Sequence, residues 1–465
     1  MRDILVTLIC LGAMPLSFKK PFVGLLFFSV LAYMRLQDLS WGFARDQRWS
    51  FYIAIMTFGG YLLSKEKSPP LINVRTAIMV LLVIVVGVGH LLLAEGDEAA
   101  DVAKYIDYIK IMGVAIFTTA IVRTRERLRI LIWVIAMCFA FYGVKAGVAG
   151  IVKLGNVYIK RGPGGMIEDN NDFALALAMS IPLLLHLGTS EKRPILSKGV
   201  MLMIPLTMIA VVLTRSRGGT LAMGFCMTIL VWRSQRRLVG MALVGLSAIA
   251  VLALAPAEYK QRIYSIKDYE TEGSAAGRLR AWGIALRMVQ ANPIWGVGFG
   301  RFQQNYADYD PNPTAEVLAG EGIIVAHNSY LQIWAECGSI AFGLYLMMIF
   351  LSLWDVWTIR KQARRRYHSS WILSYCTMFE AALGTFILGS MFLNRAHFDL
   401  IYHYVAIVMV FGHVARQEME NESRYPVRSS MGRRGGLMLR ASRGFGRAPE
   451  RVSRFRTPLL PSQGT

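Results

Sequence analysis

Long apolar segments separated by short polar connections dominate this chain. The longer ones reach the roughly 18–20 residues that are needed to cross a bilayer. The apolar runs lie at about residues 4–18, 21–36, 50–64, 77–95, 105–122, 128–152, 172–190, 196–214, 217–233, 237–256, 329–358, 371–394 and 398–415. This pattern predicts an all-α polytopic membrane protein with about 12–13 transmembrane helices.

The connections between these runs predict the orientation of the protein. Every second connection is basic, and the positive-inside rule places basic connections in the cytoplasm. They are Lys19-Lys20, the segment with Lys65, Lys67 and Arg75, the segment 123–129, the segment 192–198, the segment 233–237 and the segment 360–366. The alternate connections include the segments 153–171 and 257–328 and are therefore predicted to lie outside.

The chain divides into three predicted parts. Residues 1–152 form N-terminal transmembrane helices, and residues 153–415 form a transmembrane core that includes the large periplasmic loop 257–328 with its short amphipathic helices. Residues 416–465 are rich in Arg, Ser, Gly and Pro and lack apolar periodicity. They are therefore predicted to form a disordered tail, which the topology places in the cytoplasm.

Composition narrows the possible functions. With 54% hydrophobic residues and a mean hydropathy of +0.42, the chain is too apolar for a soluble domain. Its net charge of +21 fits basic cytoplasmic loops rather than nucleic-acid binding. The five cysteines fall in or beside apolar runs and form no C-x-x-C pair. No nucleotide-binding or H-E-x-x-H motif is present, so we expect neither a metal site nor a cofactor.

Two arginines lie between two abutting apolar runs. Arg215 and Arg217 are followed by Gly218-Gly219, which allows a ligand to approach the backbone closely. A guanidinium group at the edge of the hydrocarbon is costly unless it is paired or hydrated, and its planar fork suits phosphate. The alternative is that these side chains extend to the headgroups or pair with a loop carboxylate.

A second pair of arginines belongs to a predicted amphipathic helix. Arg278 and Arg280 begin a stretch in which apolar residues recur at helical spacing as far as Val289. Asn292-Pro293 and three glycines then predict a tight turn. The stretch is typical of a helix lying along the outer face of the bilayer, and its arginines either bind a substrate or contact lipid phosphates.

His327 follows the longest interior polar segment and directly precedes an apolar run. A histidine can accept a proton at neutral pH, and neighbouring arginines would lower its pKa and keep it neutral, as a general base requires. The alternative is a packed histidine.

Asn328 is a plausible N-cap residue. Glu336 either pairs with an arginine or is a satisfied interfacial carboxylate, and Asn171 either caps a helix or contacts a sugar.

Taken in order, these stretches resemble the O-antigen ligase and O-antigen polymerase superfamily of bacterial envelope enzymes. The resemblance covers about residues 170–358. The N-terminal third and the arginine-rich tail are most similar to the O-glycosylation ligase subgroup that is associated with exosortase systems. The motifs that carry the likeness are Ser216-Arg217-Gly218, Gly277-Arg278-Leu279, the segment 292–300, His327-Asn328-Ser329 and Glu336-Cys337-Gly338.

The resemblance implies a glycosyltransferase with a GT-C-like architecture in the bacterial inner membrane. Such enzymes transfer a glycan from undecaprenyl diphosphate to a hydroxyl acceptor on the periplasmic face, without a metal ion and with inversion at the anomeric carbon. Arg217 and Arg278 would bind the diphosphate, Arg215 and Arg280 would share that task, and His327 would activate the acceptor. The acceptor is a lipid, a protein or a polysaccharide, and the resemblance leaves all three open. A polysaccharide polymerase and a flippase or exporter of lipid-linked glycan remain alternatives.

Overall fold

A computed structural model describes residues 2–65, 67–93, 98–234, 237–238, 240–242, 245, 273–365, 370–394 and 396–421. Within these residues the chain folds into helices and turns without a strand, which confirms the all-α polytopic membrane fold. The helices are α1 (Arg2–Lys19), α2 (Pro21–Ser29, continued by a π-turn to Met34), α3 (Phe43–Asp46), α4 (Trp49–Leu63), α5 (Val74–Leu92), α6 (Glu98–Ile121), α7 (Arg125–Val152), α8 (Asn170–Ser190), α9 (Pro194–Leu213), α10 (Arg217–Arg233), α11 (Gly273–Ala291), α12 (Ala315–Leu318), α13 (Ser329–Arg365), α14 (Ser370–Gly389) and α15 (Asp399–Glu420).

Each predicted apolar run within the described residues coincides with a helix, and the bounds agree to within several residues. The run at 237–256 lies largely outside the described residues, as does nearly all of the predicted C-terminal tail. Six described helices are long and apolar enough to cross a membrane, namely α5, α7, α8, α9, α13 and α14. The figure of 12–13 spans stays a prediction, since α10 has only 17 residues and α6 carries several charged residues.

The helix α8 lies at the centre of the described bundle. In its most apolar window 83% of the residues are buried, because α7, α9, α10 and α14 all pack against it. Small residues permit this crowding: a methyl group added at Gly219 of α10 would lie 2.4 Å from Cβ of Ala174. Burial on all sides explains why this helix is apolar around its whole circumference.

Two largely buried carboxylates form ion pairs that join the helices at one end of the bundle. The carboxylate of Glu380 on α14 pairs with Arg360 of α13 at 2.9 Å and with Arg233 of α10 at 2.7 Å. The carboxylate of Asp355 pairs with Arg75 of α5 and with Arg416 of α15. Each carboxylate is thus shared by two guanidinium groups, as a charge within an apolar bundle requires.

The glycine-rich turn after α11 docks against a break in α13. Gly338 interrupts that helix with φ 76° and ψ −179°, which frees carbonyls in the preceding turn. The carbonyls of Ala335 and Glu336 accept hydrogen bonds from the amides of Val297 and Gly298, at 2.9 and 3.0 Å. A methyl group at Gly338 would lie only 1.9 Å from the carbonyl oxygen of Ile294, so the close approach requires glycine. The docked turn fixes α11 against α13.

Candidate functional site

Three helices begin at the same end of the bundle, and each beginning is fixed by a polar cap. Asp169 accepts a hydrogen bond from the amide of Asn171 at the start of α8. Ser216 accepts one from the amide of Gly219 at the start of α10. Asn328 caps α13 and accepts from the two amides of residues 330 and 331, at 3.0 and 3.1 Å, as the sequence predicts.

Direct contacts hold these three helix starts together. The side-chain amide of Asn170 donates to the carbonyl of Thr214, in the turn before α10, at 2.8 Å. The hydroxyl of Ser329 donates to the carbonyl of Leu393 at 2.8 Å, and Gly218 lies against the neighbouring Phe392. The starts of α8, α10 and α13 therefore surround one region, and the positive ends of three helix dipoles favour an anion there.

The helix α11 brings Arg278 to this region. The indole of Trp282 donates a hydrogen bond to the carbonyl of Ala326 at 2.9 Å, which attaches α11 directly before His327. Arg278 precedes Trp282 by four residues and so lies on the same face of α11. Its guanidinium acts electrostatically on the imidazole of His327. The guanidinium of Arg278 therefore lies within electrostatic range of His327.

The surroundings of His327 keep its imidazole neutral. Partial burial lowers the pKa of His327 below its ordinary value, Arg278 lowers the pKa further, and the carboxylate of Asp169 partly opposes both effects. His327 also has a φ of 47°, a left-handed conformation that is rare for residues other than glycine. Such a conformation persists only where the surrounding structure enforces it, and it is concentrated at functional sites.

Arg217 and Arg215 lie at the same end of the bundle, on and directly before α10. Arg217 is the first residue of α10 and is half-buried, and the caps described above place it in the region of the three helix starts. Arg215 has a φ of 56°, and its guanidinium lies 4.6 Å from the ring centre of Tyr158. Cation–π stacking orients Arg215 towards the segment that precedes α8.

Arg280 has a partner in the loop that follows α11. Its guanidinium forms an ion pair with the buried carboxylate of Asp310 at 2.7 Å and donates to the carbonyl of Asn312. This pairing holds the segment before α12 against α11. The predicted share of Arg280 in binding a diphosphate stays a prediction, and an anion would have to compete with Asp310 for it.

Glu336 is a buried carboxylate whose partners among the described residues are a histidine, a glutamine and a backbone amide rather than an arginine. Its Oε2 atom lies 3.3 Å from Nε2 of His397 and 3.4 Å from the side-chain amide of Gln332. Its Oε1 atom accepts from the amide of Phe302 at 3.4 Å. This network ties the glycine-rich turn to α13 and to the connection before α15.

Asn171 lies beside the site but does not cap α8. Its side-chain amide donates to the Oδ1 atom of Asp169 at 3.0 Å, and Asp169 is the cap. The sequence interpretation therefore missed Asp169, although an acidic residue directly before an apolar run is a helix-start signal. It also missed Tyr158 and His397, for which only tertiary contacts identify a role.

Charged groups at the site are arginines rather than clustered carboxylates. Among the described residues, no group of three or more His, Cys, Asp and Glu side chains is placed to share a metal ion. His327 and Arg278 interact electrostatically here, and Arg217 is the first residue of α10, one of the three helices that begin at this end. This arrangement is suited to binding an anion next to a neutral proton acceptor.

Comparison with known families separates the chain into two regions. Residues 200–346 match the family described as O-Antigen ligase, and this region contains Arg217, Arg278 and His327. Residues 1–192 match a family of unknown function, DUF5935. No curated protein matches the chain. The first match supports the O-antigen ligase superfamily and with it a membrane ligase or polymerase of glycans.

Proposed function

We propose that this protein is a membrane glycosyltransferase that moves a glycan from undecaprenyl diphosphate to a hydroxyl acceptor. In this proposal the protein belongs to the exosortase-associated subgroup and lies in the bacterial inner membrane. Its site faces the periplasm, and its C-terminus lies in the cytoplasm. It rests on one observation above all. Arg278 acts electrostatically on His327, Arg217 opens α10 at the same end of the bundle, and all three residues lie in the region that matches the ligase family.

The arginines would bind the diphosphate of the donor. Arg217 and Arg278 supply donors for its oxygens, and the helix starts add positive potential. As the bond between the anomeric carbon and the diphosphate breaks, negative charge builds on the leaving oxygen. Preorganised cations stabilise that charge, which is usually the largest contribution in such sites. Arg215 would contact the same donor from the outer side.

His327 would act as the general base. Its neutral imidazole takes the proton of the acceptor hydroxyl while the acceptor oxygen bonds to the anomeric carbon from the face opposite the diphosphate. The bond to the diphosphate breaks, and undecaprenyl diphosphate leaves with the electron pair. Partial burial and the loop held by the Arg280–Asp310 ion pair would limit the access of water, which would otherwise consume the donor.

A transfer assay tests this function. Purified protein in nanodiscs receives a synthetic undecaprenyl-diphosphate glycan and an envelope extract as acceptor, with EDTA throughout. We expect the wild type to transfer the glycan and His327→Ala, Arg217→Ala and Arg278→Ala to lose that activity while remaining folded. Arg287→Ala is a matched control, because Arg287 is exposed on the same helix as Arg278 and should be dispensable.

The product separates the proposal from its alternatives. Labelled glycan attached to an acceptor supports a ligase and identifies the acceptor as lipid, protein or polysaccharide. A ladder of repeat units on the lipid carrier would instead identify a polymerase of the same superfamily. If no glycosidic bond forms although the donor is intact, and the lipid-linked glycan crosses a liposome bilayer, the protein is a transporter and the proposal is wrong.

A further inference from the structure

A groove opens between α10, α13 and α14 at the end of the bundle opposite to His327. Its volume is about 360 Å³. Ile229 and Leu353 supply apolar walls. Trp232 and Trp357 also line the groove, and these residues are 67% and 48% exposed. We call it the indole groove. A slot of this kind accommodates an acyl chain, and exposed tryptophans are typical of the boundary between hydrocarbon and headgroups.

The polar end of the indole groove carries a net positive charge. Arg233 and Glu380 line it, and the Glu380 carboxylate is shared between Arg233 and Arg360 at 2.7 and 2.9 Å. Two guanidinium groups on one carboxylate leave one positive charge uncompensated within this group. Arg233 is 28% exposed and so remains accessible at the groove.

Further cations surround the two indole rings. The ammonium of Lys361 lies 5.8 Å from the ring centre of Trp357, and the guanidinium of Arg237 lies 5.3 Å from that of Trp232. Arg364 and Arg365, one turn beyond Lys361, are exposed as well. Stacking on the rings holds the two nearer cations at the entrance to an apolar slot. Such a combination matches the headgroup and chain of an anionic lipid.

We propose that the indole groove binds an anionic diacyl phospholipid of the surrounding membrane. One acyl chain lies between Ile229 and Leu353, and the phosphate lies between Arg237 and Lys361 near Arg233. The site is separate from the proposed diphosphate site. Helix α10 has 17 residues between the two, which corresponds to about 25 Å.

Native mass spectrometry of the full-length protein tests this site. The protein is titrated with phosphatidylglycerol and, separately, with phosphatidylcholine, whose headgroup has no net charge. We expect tight binding of one phosphatidylglycerol and no comparable binding of phosphatidylcholine. In the double variant Arg237→Gln/Lys361→Gln the affinity for phosphatidylglycerol should fall about 25-fold, since each basic residue at an anionic surface contributes roughly a factor of five.

Two further variants separate the groove from general charge effects. Leu353→Trp fills the slot while leaving the cations in place, and should also abolish the tight binding. Lys19→Gln/Lys20→Gln removes two exposed lysines that do not line the indole groove and should leave the binding of phosphatidylglycerol unchanged. Equal binding of both lipids, or unaltered binding in both groove variants, would overturn the proposal.

A competitor distinguishes the membrane lipid from the lipid carrier. If undecaprenyl phosphate displaces phosphatidylglycerol at equal concentration, the groove belongs to the carrier and the proposal is wrong. Because this experiment measures binding rather than glycan transfer, its outcome is independent of the proposed enzymatic function.

Discussion

His327 is the residue on which the proposed chemistry depends most. The variant His327→Gln keeps a polar side chain of similar reach but removes the proton acceptor. We expect kcat for glycan transfer to fall by about 10²–10⁴-fold, the usual contribution of a general base, with little change in the KM for the donor. His413→Gln, on α15, is the matched control. A kcat for His327→Gln close to that of the wild type would exclude a base at this position.

The charges beside His327 predict a pH dependence. Burial and Arg278 lower the pKa of His327 below the ordinary value of 6.5. The imidazole is therefore neutral at pH 6.5 and above, and activity should decline only at pH values below 6.5. Arg278→Gln removes a lowering effect and should move the acid limb of its residual activity to higher pH. Asp169→Asn removes a raising effect and should move the limb to lower pH.

A pH–rate profile of the three proteins, measured as kcat/KM for the acceptor at saturating donor, checks these directions. The direction matters more than the activity level, because a loss of folding lowers the rate at all pH values without moving the limb. Shifts of the same sign in both variants would show that these charges do not act on the catalytic group.

At the scale of elements, the sequence predicted most helix positions and few tertiary partners. Apolar runs and end signals such as Asn328 depend on local physics, so they can be read from the chain. Arg280 could not be assigned in this way, since its partner Asp310 is 30 residues away and becomes apparent only when α11 packs on the loop. The pairing of Glu336 with His397, 61 residues on, is likewise a tertiary outcome.

The break in α13 yields a prediction with an internal control. Gly338→Ala places a methyl group 1.9 Å from the carbonyl oxygen of Ile294, at a φ of 76°. The turn after α11 must then move, and we expect a loss of about 1–3 kcal/mol in the free energy of unfolding together with a loss of transfer activity. Gly343→Ala, in the same helix, has no neighbouring atom within 4 Å and should be neutral or slightly stabilising.

Thermal unfolding of both variants in detergent measures the difference. Equal melting temperatures for Gly338→Ala and Gly343→Ala would mean that the docked turn does not depend on this glycine. In that case the turn after α11 would tolerate a shift. Gly338 would then not be needed to hold α11, which carries Arg278, against α13.

At the scale of the whole molecule, the pattern of basic connections predicts that the site and the ion-paired end face opposite sides of the membrane. The length of α8 indicates how far apart the two ends lie. Helix α8 has 21 residues, about 31 Å in length, which equals the roughly 30 Å of a bilayer core. Asp169 at one end acts on His327, and Lys192 lies two residues beyond the other end.

Cysteine labelling tests this orientation in the intact membrane. All five native cysteines are buried, so a single introduced thiol would dominate the reaction with a membrane-impermeant maleimide. Glu321 is exposed in the loop that leads to His327, and Lys192 is exposed between α8 and α9. We expect Glu321→Cys to react in cells whose outer membrane alone is permeable, and Lys192→Cys to react only after the inner membrane is opened.

The same comparison bears on the chemistry, because a lipid-linked glycan presents its diphosphate to only one side at a time. If Glu321→Cys were protected and Lys192→Cys accessible from outside, the arginines and His327 would face the cytoplasm, and a periplasmic transferase would be impossible. If both reacted from the same side, α8 would not cross the membrane, in spite of its length and hydropathy. Only opposite accessibility in the expected sense is compatible with acceptor activation by His327 on the periplasmic face.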